Sequence, residues 1–297
     1  MGSFVGHLFP GLAFIFYGLV TLLHASHHFH RGQRNKGRRL GKRSLGRTRI
    51  PPWCGISSPC CYFPLEPLTK VLLPLGGIIG EIAHAKFSLY SGSRLINVNN
   101  FGHSAMFTPF VISGVIDLIG CVVHLPARSQ KLFVAFAFAL EFLAFALHLD
   151  GRSRLETQCH VLLSIACAAC FMFAALESCD PSNVCYFIGR GLFTVVQGTW
   201  FIQLGLILYG WPPWDDNEHG ILELASVAFL WHVIVNVLLM CLLFFLTWLT
   251  MGTCIQSTSC CVAPPEDRAD VLNEKVQPKN DHEFEMVSPG DEEEMTV

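Results

Sequence analysis

The chain has 297 residues and a formal net charge of -3, and 52% of its residues are hydrophobic while only 14% are charged. The charges are concentrated, because residues 31–49 hold nine Lys/Arg and residues 251–297 hold eleven Asp/Glu. A typical soluble domain is about 25% charged, so this composition excludes a soluble globule, a disordered chain and a nucleic-acid-binding domain. It predicts an all-α, polytopic membrane protein.

Seven apolar segments are long enough to cross a bilayer as helices, which takes about 20 residues each. The first, Phe4–Leu23, is followed rather than preceded by a basic stretch, the reverse of a cleaved signal peptide. The connections after the second segment are short, which predicts an antiparallel seven-helix bundle over residues 1–250. The other six segments are 70–90, 103–125, 131–149, 157–177, 186–209 and 221–250.

The distribution of Lys and Arg predicts how the bundle is oriented, because cytoplasmic loops are enriched in these residues. With the N-terminus outside, the cytoplasmic segments hold 16 Lys/Arg and the outer loops hold 4. A basic cytoplasmic loop is therefore predicted at 29–67. Its residues 31–49 are expected to bind anionic lipid head groups, which attract Lys and Arg beside a membrane helix.

The C-terminal residues 251–297 are acidic and contain several prolines, which predicts a disordered cytoplasmic tail. Cys254, Cys260 and Cys261 follow the last span directly. Cysteines in this position are candidates for palmitoylation. The alternative is that they are unmodified cytosolic thiols.

Ionisable residues within membrane helices are costly to bury and commonly mark functional sites. Six of the seven predicted helices carry a His or a Glu, mostly in the outer half. Imidazoles and carboxylates suit zinc or a proton relay, and the alternative is that they cap helices and join them by hydrogen bonds. The main candidates for a metal or proton site are Glu81, His103, His148, His160 and His232. Secondary polar candidates are His7, His84, Asp117, Glu141 and His219.

The chain carries a set of short motifs in the order Gly6-His7, Pro10-Gly11, Gly80-Glu81, Gly102-His103, Gly114-Val-Ile-Asp117, His148-x-x-Gly151-Arg152, His160-x-Leu-Leu163, Gln197-Gly-Thr-Trp200-Phe-x-Gln203-x-Gly205 and Trp231-His232. This set of motifs resembles the transmembrane protein 45 family, and within it the transmembrane epididymal proteins. The resemblance covers residues 1–250 and implies a multi-pass membrane protein of about seven helices without an established molecular activity. It implies no catalytic residues.

The favoured function from sequence is a non-enzymatic membrane scaffold or adaptor, which requires nothing beyond the bundle and the tail. The alternative is an intramembrane metal site that serves a zinc-dependent lipid hydrolase or a metal or proton transporter. In that case His103, His148 and His160 with Glu81 are the predicted ligands and base. A seven-helix receptor is disfavoured, because the third span ends at Asp117-Leu-Ile-Gly-Cys121 without an acid–Arg pair.

Overall fold

Helices make up most of the described chain in the computed structural model, which describes residues 4–34, 65–126, 128–147, 149 and 151–258. A short antiparallel hairpin, β1 (Tyr90–Ser91) and β2 (Arg94–Leu95), joins the second helix to the third. The helices of this part are α1 (Phe4–Arg34), α2 (Leu65–His84), α3 (Val98–Val122), α4 (Ser129–Leu147), α5 (Arg154–Cys179), α6 (Val184–Tyr209) and α7 (Ile221–Thr258).

Six helices of the described chain are long and apolar enough to cross a membrane, namely all except α2. The exception, α2, has 20 residues, and Glu66, Lys70 and Glu81 make it less apolar than the others. Long apolar helices of this number are typical of proteins that cross the bilayer several times. The chain is therefore an all-α, integral, multi-pass membrane protein, as the composition predicts.

The first helix is longer than predicted, because it continues beyond Leu23 to Arg34. Its later part lies against α7. His30 Nε2 donates a hydrogen bond to the Phe244 carbonyl at 2.9 Å, and the hydroxyls of Ser26 and Thr247 are also hydrogen-bonded. The basic stretch therefore begins on the helix itself rather than in a loop.

The second helix is shorter than predicted and ends at His84 instead of residue 90. Lys86 and Phe87 have positive φ angles of 51° and 57°, which an α-helix does not contain. The side-chain amide of Asn97 donates to the carbonyls of Ala85 and Ser88 at 3.0 and 2.9 Å. These bonds satisfy carbonyls at the helix end and fix the turn that leads into the hairpin.

Several predicted features lie outside the described residues. These are residues 35–64 of the predicted basic loop, the predicted tail from residue 259, and His148. Cys260 and Cys261 also lie there, and Cys254 is described only in its backbone. The chain divides into two units, Met1–Met251 and Gly252–Val297, and only the final turns of α7 are described in the second.

Glycines hold α1 and α6 close together along most of the length of α1. On α6 they recur every seventh residue, at Gly191, Gly198 and Gly205, and Gly11 and Gly18 of α1 have the same spacing. A Cβ atom added to Gly198 would lie 2.7 Å from the Gly11 carbonyl oxygen. Because small residues let membrane helices approach closely, this contact fixes the position of α1.

Successive helices run in opposite directions, so each end of the bundle contains one terminus of every helix. His7 of α1 lies 5.5 Å from Tyr209 of α6 between ring centroids. Glu81 of α2 and His103 of α3 are similarly in contact. We name this end, where α1, α3, α5 and α7 begin, the histidine end, and the other the opposite end.

Candidate functional site

A cavity of about 40 Å³ lies within the bundle toward the histidine end. About 10–15 Å³ in this measure holds one water molecule, so the cavity can take a few waters. Its apolar wall consists of aromatic side chains, chiefly Phe14, Phe107, Phe110, Phe145 and Phe201. Five ionisable side chains from five consecutive helices also line it: His7, Glu81, His103, Glu141 and His160.

Glu81 and His103 form the half-exposed side of this cavity. Nδ1 of His103 lies 3.3 Å from Oε1 of Glu81, and Asn100 donates to the other carboxylate oxygen at 2.7 Å. The Glu81 side chain is 16% exposed and the His103 side chain is 25% exposed. Asn100 lies in the first turn of α3, which begins directly after the hairpin. The point at which α3 begins therefore also determines the position of Asn100 and His103 relative to Glu81. Imidazole and carboxylate in contact can share or exchange a proton.

His160 and His7 form the buried side. Nδ1 of His160 donates to the Glu156 carbonyl at 2.7 Å, one turn earlier on α5. A carbonyl oxygen only accepts, so Nδ1 carries the hydrogen and Nε2 is the basic nitrogen of the neutral ring. The rings of His7 and His160 are 6.4 Å apart, and both side chains are buried.

Glu141 of α4 is the most buried acid on the cavity wall, with 3% of its surface exposed. Gln197 of α6 donates to Oε1 at 2.7 Å. Within the described chain, Oε2 is buried with no nitrogen or oxygen as a hydrogen-bond partner. The Cys167 thiol, a weak donor, lies beside the carboxyl. Within the described chain, the polar neighbours of this cavity-lining acid are thus an amide and a thiol and not a Lys or Arg.

Not all of the predicted candidates reach the cavity. His232 of α7 packs instead against Trp200, with 5.5 Å between ring centroids, and its own carbonyl accepts from Asn236 at 2.7 Å. His84 and His219 are exposed. Asp117 lies nearer the opposite end and pairs with Lys70. His148, at the end of α4, is outside the described residues.

The geometry of a metal site is absent from the described part of the chain. No three His, Cys, Asp or Glu side chains there are close enough together to hold one ion. The 6.4 Å between the rings of His7 and His160 illustrates the spacing. Zinc ligands place their donor atoms about 2.0–2.3 Å from the metal, so the five cavity residues are arranged around a small volume rather than around a point.

Buried ion pairs lie toward the opposite end. Lys70 Nζ is 2.5 Å from Asp117, linking α2 to α3. Glu177 of α5 accepts from Lys131 at 2.8 Å and from Arg190 at 2.7 Å. Tyr17 of α1 lies between the two groups, with its ring 5.4 Å from Lys70 Nζ and its hydroxyl 3.3 Å from Arg190. Every acid named here has a cation as its partner.

Sequence reasoning missed these ion pairs, the direction of the Glu141 side chain and the role of Asn100 as a partner of Glu81. The 16 Lys/Arg that the orientation argument assigns to cytoplasmic segments include Lys70, Lys131 and Arg190, yet all three lie within helices and pair with acids. The sequence makes Glu141 only a secondary candidate, yet it lines the cavity. Asn100 was overlooked, and its position three residues before His103 on one helix is the signal that could have found it.

Comparisons with known proteins support the membrane architecture. The model of a family of unknown function (DUF716) matches residues 127–245. Transmembrane epididymal protein 1 of Rattus norvegicus and transmembrane epididymal protein 1A of Mus musculus are each 23% identical over 269 residues, 81% of this chain and 79% of theirs. Transmembrane epididymal protein 1 of Homo sapiens is 26% identical over 153 residues, 48% of this chain and 55% of its own. The chain is thus a multi-pass membrane protein similar to the transmembrane epididymal proteins.

Proposed function

We propose that this protein moves protons across the membrane and that the cavity at the histidine end is where they are exchanged. The observation that carries the proposal is the convergence of three imidazoles and two carboxyls, from five helices, on one cavity with room for water. Ionisable residues that face the interior of a membrane bundle are typical of proton and ion pathways.

The contrast between the two ends of the bundle favours exchange over a purely structural role. Toward the opposite end, Asp117 and Glu177 are neutralised by Lys or Arg, whose charges are fixed near neutral pH. Among the described residues that line the cavity there is no Lys or Arg. Glu81 pairs instead with the His103 imidazole, and imidazole is the side chain whose ordinary pKa lies nearest neutrality.

The proposed exchange uses the groups that are already positioned. His160 Nε2 is the proton acceptor of the buried side, because Nδ1 is held by the Glu156 carbonyl. Glu81 and His103 form the acceptor pair of the half-exposed side. A proton passes between groups in direct hydrogen-bond contact or through one intervening water, and the cavity supplies the space for such waters.

Two sequence-based functions give way to this proposal. A metal-dependent hydrolase or metal transporter needs ligands that meet at one point, whereas the cavity residues in the described part of the chain enclose a volume. His148, one of the predicted ligands, lies outside that part. A scaffold or adaptor needs no cluster of ionisable groups in the bundle. We also propose that the N-terminus lies on the outer side of the membrane, so that the histidine end faces outward. In the same proposal, the chain belongs to the transmembrane protein 45 family.

Proton flux into proteoliposomes tests the proposal. The purified protein is reconstituted with a pH-sensitive dye inside the vesicles, and a potassium diffusion potential drives proton entry. The wild type is expected to acidify the vesicles faster than protein-free liposomes. Glu141→Gln, which keeps the size of the side chain, is expected to slow the flux by about 10²-fold, in the range typical for a lost proton-transfer group.

The matched control is Glu223→Gln, because Glu223 is exposed near the start of α7 and does not line the cavity. It is expected to keep the wild-type flux. Flux no faster than in protein-free liposomes would refute proton movement and leave the scaffold function. Equal flux in wild type and Glu141→Gln would refute the assignment to this cavity.

A further inference from the structure

The hairpin between α2 and α3 has two faces of different chemistry. Tyr90 lies opposite Leu95 in its ladder, and Ser91 lies opposite Arg94. Neighbouring residues of a strand point to opposite faces, and residues directly across the ladder share a face. Tyr90 and Leu95 therefore occupy one face together. The other face holds Leu89, Ser91, Arg94 and Ile96.

The face of Tyr90 and Leu95 is apolar and is not covered by the described chain. Tyr90 is 59% exposed and Leu95 is 55% exposed, and Phe87, in the turn just before the hairpin, is 76% exposed. On the other face, Leu89 and Ile96 are half-buried. Apolar side chains exposed next to one another mark a surface that contacts something other than water.

We propose that the apolar hairpin surface, formed by Phe87, Tyr90 and Leu95, lies in the head-group layer of the phospholipid bilayer that the helices cross. Leu95 precedes the start of α3 by three residues, which span at most about 10 Å of extended chain. The head-group layer is about 5–8 Å thick on each side of the hydrocarbon core. The surface is therefore within reach of this layer.

The apolar hairpin surface continues into a lipid-facing part of the chain. Val98, the first residue of α3, is 50% exposed, and Ile112 and Val115 further along the same helix are also exposed. Because α3 is long and apolar enough to cross the membrane, lipid covers these side chains. The same lipid leaflet meets the hairpin where α3 begins.

Two cations beside this surface match the phosphates of the lipid. Lys86 and Arg94 are exposed, and in the part of the chain that the structure describes neither is paired with an acid. Lys and Arg at the edge of a membrane are attracted to lipid head groups. A protein partner would have to place an acid opposite each cation, whereas a phospholipid layer presents phosphates throughout.

A second loop at the histidine end has the residue type expected at the same level of the membrane. Trp211 follows the end of α6 and is 99% exposed. Trp and Tyr are enriched at the boundary between membrane and water, where one part of the ring system is in lipid and its polar atom is in water. The proposal is independent of proton exchange, because neither Trp211 nor the residues of the hairpin line the cavity.

Carbene labelling of the full chain in phospholipid nanodiscs tests this placement. One probe is a phospholipid with a diazirine on its acyl chain close to the ester, and the other is a water-soluble diazirine. Labelled residues are identified by tandem mass spectrometry. The lipid probe is expected to label Phe87, Tyr90 and Leu95 more strongly than Ser91 and Gly92 of the same peptide, and the water-soluble probe is expected to show the reverse.

A matched pair of variants locates the face that meets the lipid. Leu95→Asp puts a charge on the apolar hairpin surface and is expected to lower labelling of Tyr90 by the lipid probe about tenfold, the effect of losing one buried leucine. Ser91→Asp puts the same charge on the other face and is expected to keep the wild-type labelling. Thermal unfolding in the same nanodiscs verifies that both variants are folded.

Three results would overturn the proposal. Equal labelling of Tyr90 and Ser91 by the lipid probe would show that the hairpin has no lipid-facing side. Strong labelling of Tyr90 by the water-soluble probe alone would place the surface in water. Protection of Tyr90 from both probes would show that protein, such as a second copy of this chain, covers it.

Discussion

Replacing Gly198 by alanine should loosen the contact between α1 and α6. The added Cβ would lie 2.7 Å from both the Gly11 carbonyl oxygen and the Ile15 amide nitrogen, whereas ordinary contacts begin at 3.4 Å. Both atoms belong to the backbone of α1 and cannot rotate away. The two helices must therefore separate by roughly 0.7 Å, the difference between these distances, over a tightly packed interface.

The free-energy cost follows from two opposing effects. Overpacking of a well-packed interior costs about 1–3 kcal/mol. Alanine favours a helix over glycine by about 1 kcal/mol, so the net destabilisation of Gly198→Ala should be about 0–2 kcal/mol. Relative to an alanine that gains the helix preference without a clash, Gly198→Ala should be less stable by the full cost of about 1–3 kcal/mol. For a chain of this size, each kcal/mol lowers the melting temperature by about 2–4 °C.

Thermal unfolding in one detergent, followed by tryptophan fluorescence, measures this effect. Gly80→Ala is the matched control, because a Cβ added to Gly80 of α2 has no atom within 4 Å. It should leave the melting temperature unchanged or raise it slightly. Gly18→Ala should behave like Gly198→Ala, since its Cβ would lie 2.8 Å from the Val195 nitrogen. Equal melting temperatures for Gly198→Ala and Gly80→Ala would refute the close approach of the two helices.

Three further substitutions test the contacts that shape the bundle. Asp117→Asn should destabilise the protein by about 3 kcal/mol, because it leaves the Lys70 charge buried without its ion partner. The double change Lys70→Met and Asp117→Leu should recover most of this loss in the same melting assay. No recovery would contradict the ion pair. Asn97→Ala removes two hydrogen bonds at the end of α2 and should speed amide exchange in its last turn by about 10-fold or more; unchanged exchange would count against this cap. Ser153→Ala removes the N-cap of α5 and should cost about 1 kcal/mol, with an unchanged melting temperature as the contrary result.

The helices could be predicted from the sequence because lipid-length apolar segments leave few alternatives. The ends of α1 and α2 could not. α1 continues through polar residues because contacts with α7, such as that of His30 with Phe244, support it there. α2 stops at His84 because of local backbone angles and the Asn97 side chain. Neither feature has a hydropathy signal.

The sequence predicts how deep each candidate residue lies in the membrane, but not the direction in which its side chain points. Antiparallel order places His7, Glu81, His103 and His160 at similar levels, and the structure brings all four to one cavity. Depth does not reveal which way a helix is rotated. His232 therefore lies against Trp200 rather than in the cavity, and Glu141 faces the cavity.

The ion partners of the buried charged residues could not be predicted from the sequence either. Lys70 stands at the edge of the predicted second span, so a rule based on loop charges counts it as cytoplasmic. In the folded chain it is the sixth residue of α2 and reaches Asp117 of α3. Such pairs depend on the register between two helices, which in turn depends on close contacts such as that of Gly114 with the Lys70 backbone.

The central claim is that the cavity itself gains and loses protons. Infrared difference spectroscopy of the protein in lipid, recorded between mildly acidic and mildly alkaline buffer, measures this directly through the carboxyl C=O bands. We expect a band from a buried carboxyl that is lost in Glu141→Gln and kept in Glu223→Gln. If the difference spectra of wild type and Glu141→Gln are superimposable, Glu141 does not take part in proton exchange and the account of the cavity is wrong.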